Sequence, residues 1–244
     1  MDNSIITVNK LTRKFGDFIA VDSITFDVKQ GEIFGFLGAN GAGKTTAMRI
    51  LCGLLTPSSG NASVCGFNVV TQSEQIKLNI GYMSQKFSLF DDLSVWDNIT
   101  FYAGIYKMSR KEIKAAGDSL LSKLELSQYK NRLVGSLPLG WKQKLAFATA
   151  IIHKPRLVFL DEPTGGVDPI TRRAFWDMLY TAASDGITVF VTTHYLDEAE
   201  YCDRISIMAK GKIGGIGTPA ELKQQFNASS IYDVILALAR GNES

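Results

Sequence analysis

Gly38–Thr46, "GANGAGKTT", is the stretch from which the fold can be read. It matches G-x-x-x-x-G-K-[ST], with Gly38, Gly43, Lys44 and Thr45 at the fixed positions. Before it lies "GEIFGFL", an apolar run that reads as a strand, and after it "KTTAMRILCGLL", which reads as a helix over 44–55. Between a strand and a helix, glycines let the loop Asn40, Gly41, Ala42 and Gly43 wrap with its N–H groups facing inward on phosphate. The helix N-terminus, at Lys44, Thr45 and Thr46, adds the positive end of its dipole. Lys44 is placed for β- and γ-phosphates and Thr45 for Mg²⁺. The bland alternative, a glycine-rich turn with no ligand, is outweighed by the full match in its strand–loop–helix context.

Further along, "RLVFLDEP" is a continuous apolar strand ending in two acids. In open α/β sheets ligands bind beyond the carboxyl ends of the strands, so Asp161 falls beside the phosphate loop. Asp161 is expected to hold Mg²⁺ and Glu162 to act as general base on an attacking water. "NIGYMSQ" is a short strand ending at Gln85, an amide able to touch Mg²⁺ or water. "ITVFVTTH" is another, ending at His194, which is placed to hydrogen-bond a γ-phosphate. His153, in "IIHKPRL", reads as surface.

The rest of the chain agrees with a soluble α/β reading. It has 244 residues, 45% hydrophobic and 20% charged, with net charge +2, too little to argue for nucleic acid. Its three cysteines form no C-x-x-C, which speaks against a disulfide framework or a zinc site. The start, "MDNSIITVNKLTRKFG", lacks the apolar region of a signal peptide, and no apolar run approaches the ~18–20 residues of a membrane span. Strands are expected at "IITVNKL" and on both sides of a Gln30–Gly31 turn in "VDSITFDVKQGEIFGFLG". "RISIMAKGKIGGIG" reads as a hairpin. From about 87 to 152 the spacing turns helical, with a capping box at Ser109 and Glu112. Strands alternating with helices imply a largely parallel sheet covered on both faces.

These motifs, in this order, resemble the nucleotide-binding subunits of ABC transporters over nearly the whole chain, and "DEPT" with "VDP" and the "TH…EAE.CDR" pattern is similar to a multidrug-export ATPase branch. The resemblance implies a P-loop NTPase (RecA-like) α/β core with an antiparallel β subdomain and an α-helical subdomain, as one domain over 1–244. The helical part is expected at about 87–152 and a C-terminal helical tail at about 219–240. It also implies ATP and Mg²⁺ as ligands and ATP hydrolysis coupled to transmembrane transport. Two copies, in the simpler case identical, would close head to tail, with a transmembrane permease subunit on a separate chain at the cytoplasmic face of the cell membrane. No nucleic-acid partner is expected. Phe15 matches the aromatic that stacks on adenine, Asp168 the loop that communicates across the dimer, His194 the switch histidine and Gln85 the link to the membrane subunit.

One stretch departs from the family pattern. Where Leu-Ser-Gly-Gly-Gln is usual, this chain has Leu137, Pro138, Leu139, Gly140 and Trp141, followed by Lys142 and Gln143. The serine that would donate to the partner's γ-phosphate is absent, a hydrogen bond worth roughly 1.5–3 kcal/mol. Gly140 still allows close approach, Pro138 suits a helix start, and Lys142 adds positive charge. Trp141 has two readings, against the partner's nucleotide or within the helical insert. Past Gln85, the side chains Phe87, Leu89, Phe90, Leu93 and Trp96 offer apolar material for a groove that receives a helix of the membrane subunit. The competing functions are an ABC ATPase acting on ribosomes or DNA, and an ATP-binding module that switches without turnover.

Overall fold

The computed structural model describes residues 3–86 and 88–241. Phe87 therefore lies outside the described residues. Two sheets form the frame. The smaller one, antiparallel, joins β1 (Ser4–Phe15), β2 (Phe18–Lys29), β4 (Ser59–Val64) and β5 (Phe67–Asn68) in the order β2-β1-β4-β5. The larger one holds β3 (Ile33–Leu37), β6 (Ile80–Met83), β7 (Leu157–Asp161), β8 (Thr188–Thr193), β9 (Arg204–Ala209) and β10 (Lys212–Gly217). Its order is β10-β9-β3-β8-β7-β6, parallel throughout except for the β9–β10 hairpin. Every residue of β3, β7 and β8 is buried, as expected of strands covered on both faces.

Between the sheets, Phe26, Phe34, Phe36, Phe159 and Phe190 pack ring on ring, with Phe159 and Phe190 centroids 5.2 Å apart. The opposite face of the larger sheet is covered by α5 (Leu139–Ile151), α6 (Pro169–Ser184), the short α7 (Pro219–Gln225) and α8 (Ile231–Gly241), while Ile76 of the short α2 (Ser73–Asn79) is buried with the phenylalanines. Ile231 and Val234 of α8 are buried in that layer, so the C-terminal helix packs on the core. A third apolar cluster joins α3 (Val95–Ile105), α4 (Arg110–Lys123) and the start of α5. Ser94 with Asp97 and Ser109 with Glu112 form capping boxes at the starts of α3 and α4. Trp96 belongs to this cluster, packed on Gly117 beneath the Lys130 ammonium, and does not offer itself to a groove.

Two expectations are corrected, and one strand was not expected. The helix after the phosphate loop, α1 (Lys44–Leu51), ends four residues earlier than its apolar pattern suggests, because Gly53 turns left-handed at φ 69. His153 is half-buried: its Nε2 meets the Ile80 carbonyl at 3.1 Å and its ring stacks on Tyr106. β4, "SGNASV", carries no apolar alternation and takes its conformation from pairing with β1.

Strand register brings four strand ends together. Leu37 pairs with Thr193, Asp161 with Thr192 and Met83 with Leu160, so β3, β6, β7 and β8 end at one edge. The loops that leave this edge carry Gly38–Gly43, Gln85, Glu162 and His194.

Candidate active site

The phosphate loop is fixed by backbone contact. A Cβ on Gly38 would lie 2.4 Å from the Met208 carbonyl oxygen, and one on Gly43 2.3 Å from that of Ala20. Gly43, at φ 105, is the N-cap of α1 and supplies no side-chain cap, which leaves the dipole end open to an anion. Lys44 is buried; its Nζ donates to the carbonyls of Gly38 at 2.8 Å and Ala39 at 3.3 Å. Asn40 and Gly41 are exposed at the loop tip, Ala42 is buried, and Thr46 is half-buried in the first turn of α1.

Glu162 gathers the remaining groups. Its Oε1 lies 3.3 Å from Lys44 Nζ, while its Oε2 accepts from Gln85 Nε2 at 3.1 Å and from His194 Nδ1 at 3.0 Å. A non-glycine residue at φ 46, it occupies a conformation that costs on the order of 1–3 kcal/mol. Its N–H is held by Thr192, through the carbonyl at 3.1 Å and Oγ1 at 3.0 Å.

Next to it, Asp161 Oδ1 accepts from Thr45 Oγ1 at 3.2 Å and Thr192 Oγ1 at 2.7 Å. Burial pushes the Asp161 carboxyl above its ordinary value, and these two hydrogen bonds act against that rise. Thr45 and Asp161 thus place a hydroxyl and a carboxylate side by side, a hard-oxygen pair that fits Mg²⁺. Among the described residues no three His, Cys, Asp or Glu side chains gather into a metal cluster. Gln85 is brought to Glu162 through its amide nitrogen, so its contact is with that carboxylate and not with the Thr45–Asp161 pair.

Comparison with known proteins identifies the family. A family model described as ABC transporter matches residues 21–165. The chain is 35% identical over 237 residues, 97% of its length and 75% of the relative's, to the daunorubicin resistance ATP-binding protein DrrA3 of Streptomyces coeruleorubidus. The chain belongs to the ABC transporter family. It is also 46% identical over 222 residues to the probable multidrug ABC transporter ATP-binding protein YbhF of Escherichia coli, covering 91% of this chain but 38% of YbhF. Among solved structures it resembles cbiO1 from Clostridium perfringens, part of the ABC transporter complex cbiONQ, with TM-score 0.84 and 29% identity over 98% of this chain and 97% of that one.

In this member of the ABC transporter family the stretch that departs from the family pattern, Leu137–Gln143, leads into the start of α5. Pro138 is the N-cap of α5 and precedes its first turn; it supplies no side-chain cap, and its carbonyl accepts from the N–H groups of Trp141 and Lys142. Leu139 is exposed, and Gly140 approaches Thr171 so closely that a Cβ would lie 2.8 Å from its Cγ2. The other three side chains turn into their own chain. Trp141 packs against Tyr129, ring centroids 5.4 Å apart, within the helical cluster, and Lys142 is paired with Asp91 at 2.8 Å. Gln143 is fully buried and donates to the Pro163 carbonyl at 2.6 Å. Of the two readings of Trp141, packing within the helical insert is the one seen, and Lys142 and Gln143 likewise find their partners within the chain. Asp168 is the N-cap of α6, accepting from the N–H groups of Ile170 and Thr171 at 3.0 Å each.

Phe15 is exposed at the end of β1, opposite Phe18, with the Arg13 guanidinium 4.5 Å above its ring. A groove of about 360 Å³ lies between the end of α1, β6, α3 and α5. Its walls include Leu54, Tyr82, Leu89, Tyr102, Ile105 and Tyr106. Of the side chains expected to form such a groove, Leu89 lines it; Phe90 instead stands edge-on to Phe101, and Leu93 is off its wall. Sequence reading missed Thr192, the residue that touches both acids. The signal was present in the "TT" before His194, but only strand register shows that Thr192 faces Asp161.

Proposed function

We propose that this chain is the ATP-hydrolysing subunit of an exporter of multidrug type, which works as a pair of copies on a separate transmembrane subunit. The observation that carries the reading is the convergence of Lys44, Gln85 and His194 on the Glu162 carboxylate, beside Thr45 and Asp161. The name of YbhF supplies the multidrug part, and that of DrrA3 adds resistance to one drug, daunorubicin.

The chain's residues divide the work. The loop Gly38–Gly43, with Lys44, Thr45 and Thr46, cradles the phosphates; Phe15 stacks on the adenine. Thr45 and Asp161 hold Mg²⁺, which when bound offsets phosphate charge. Glu162 takes the proton of the attacking water, and His194 and Gln85 hold its carboxylate in place. Pro138, Leu139 and Gly140 face the nucleotide of a second, identical copy through the start of α5, while Asp168 sets the start of α6 beside them. The domain spans 1–244, with its helical part at about 87–152 and its tail at about 219–240. Among the described residues no helix is long and apolar enough to cross a membrane. Attachment is assigned to the apolar groove, which receives a short helix of the membrane subunit and keeps the chain peripheral at the cytoplasmic face of a bacterial inner membrane.

The test is Mg-dependent ATP hydrolysis by the chain, alone and with its membrane subunit, against Glu162→Gln. Turnover should fall by roughly 10²–10⁴-fold in the variant, the range for general acid–base catalysis, with ATP still bound. Equal rates in the two proteins would overturn the assignment of Glu162.

A further inference from the structure

The turn that carries Glu162 is gripped from two sides by buried polar groups that do not touch its carboxylate. On one side Gln143 Nε2, from α5, donates to the Pro163 carbonyl at 2.6 Å. On the other, Thr164 Oγ1 donates to Glu198 Oε1 at 2.5 Å. Gln143, Thr164 and Glu198 all have 0% exposure. Glu198 lies four residues beyond His194, in the short 3-10 segment Leu196–Tyr201. Arg172 of α6 stands behind it, Nε 3.8 Å from the same Oε1, with Nη1 3.2 Å from Asp197 and its guanidinium 4.0 Å above the Tyr195 ring. Within the turn, the Gly165 N–H closes on the Glu162 carbonyl at 3.2 Å.

Such groups are poor choices for stability alone. A buried carboxylate loses its hydration, and an apolar filling of the same volume is often as stable or more so. Gln143 Oε1 and Glu198 Oε2 are, moreover, buried without a hydrogen-bond partner. Polar groups kept at that cost call for a reason in the geometry they impose.

We infer that Gln143, Thr164 and Glu198 are positioning residues for Glu162, a clamp that holds the Glu162–Gly165 turn in one place. The clamp ties three parts together: the turn of the catalytic carboxylate, the segment leaving His194, and the helix that begins within the departing stretch Leu137–Gln143. Gln143 sits one turn beyond Gly140, so a displacement of the start of α5 is delivered to the turn through a single hydrogen bond. Contact made by Pro138, Leu139 and Gly140 with a second copy's nucleotide thereby adjusts this chain's own base. The inference rests on the reading of Glu162 as general base.

The experiment compares full-length Thr164→Val, Thr164→Ser and Gln143→Met with wild type and Glu162→Gln. Three quantities are read: equilibrium affinity for ATP, single-turnover hydrolysis, and amide hydrogen exchange across 162–165. Thr164→Val and Gln143→Met should bind ATP as wild type does but hydrolyse it about 10–100-fold more slowly, the range for a misplaced catalytic group. Exchange should quicken in 162–165 and stay unchanged in β3 and α6, and Thr164→Ser should restore both readouts. Unchanged exchange across the turn in both Thr164→Val and Gln143→Met would overturn the clamp. So would faster exchange throughout the chain with affinity and rate falling together, the mark of a merely structural role. If Glu162→Gln hydrolyses ATP like wild type, the general-base reading fails, and the exchange measurement still decides the clamp.

Discussion

The Glu162 carboxylate lies 3.0 Å from Nδ1 of His194, a residue 32 positions further along the chain. A carboxylate accepts, so Nδ1 carries the proton of this hydrogen bond. His194 therefore acts on Glu162 directly. Gln85 donates to the same oxygen. Replacing His194 by Ala leaves Gln85 as the sole donor there, and single-turnover hydrolysis should fall by roughly 10²-fold, as for other misplaced catalytic groups. ATP affinity should change far less, because Lys44 and the loop glycines are untouched. A rate equal to wild type would remove His194 from the mechanism.

Thr192 holds both acids at once, Asp161 through its hydroxyl hydrogen and the Glu162 N–H through its oxygen. Thr192→Val keeps shape and strand propensity but deletes the hydroxyl. Urea denaturation should show a loss of about 1–3 kcal/mol, the cost of leaving a buried polar group unpaired. One of the two hydrogen bonds that oppose the burial-driven rise of the Asp161 pKa also disappears. Asp161 should then stay protonated to higher pH, and the Mg²⁺ concentration for half-maximal activity should increase, most at the acidic end of the profile.

The phosphate loop should separate two kinds of glycine. Both Gly41 (φ 80) and Gly43 (φ 105) are left-handed, but only at Gly43 would a Cβ strike backbone, 2.3 Å from the Ala20 oxygen. Gly41→Ala meets open space and carries only the backbone cost, roughly 1–2 kcal/mol. Gly43→Ala adds the clash and should be destabilised further, with ATP binding lost. Equal melting temperatures for the two variants would contradict this geometry.

His153 should be a neutral histidine at physiological pH. Burial lowers its pKa to about 4, against the opposing effect of its hydrogen bond to the Ile80 carbonyl. The unfolded chain, with an ordinary histidine pKa near 6.5, then binds more protons than the folded one between about pH 6.5 and pH 4. Stability from this group is complete above that window and is lost as the pH falls through it. His153→Gln, which retains a donor for Ile80, should show a shallower loss of melting temperature over the same range. An NMR titration placing the His153 ring near its ordinary value would refute the assignment.

Much of the fold was legible because its strongest elements are local. "IFGFL", "LVFLD" and "TVFVTT" are apolar runs that only a sheet covered on both faces can bury, and the loop between β3 and α1 needs its glycines where they stand. Ser109 and Glu112 announce a helix start within four residues. β4 was not legible, since Ser59–Val64 owes its extended form to a partner about 50 positions earlier in the chain.

The site divides the same way. Residue order alone established which chemical groups are present: a phosphate loop, a hydroxyl beside an acid, a candidate base and a terminal histidine. Motif spacing fixes residue type and order, and those groups sit at strand ends that hydrophobic runs mark out. The direction each side chain faces came from tertiary packing. It turned Gln143 inward to Pro163, Trp141 onto Tyr129 and His153 onto Tyr106, and it set Thr192 against Asp161 across β7 and β8. Facing depends on helix phase and strand register, and these are set when distant segments pack together, so no single stretch of the chain contains them.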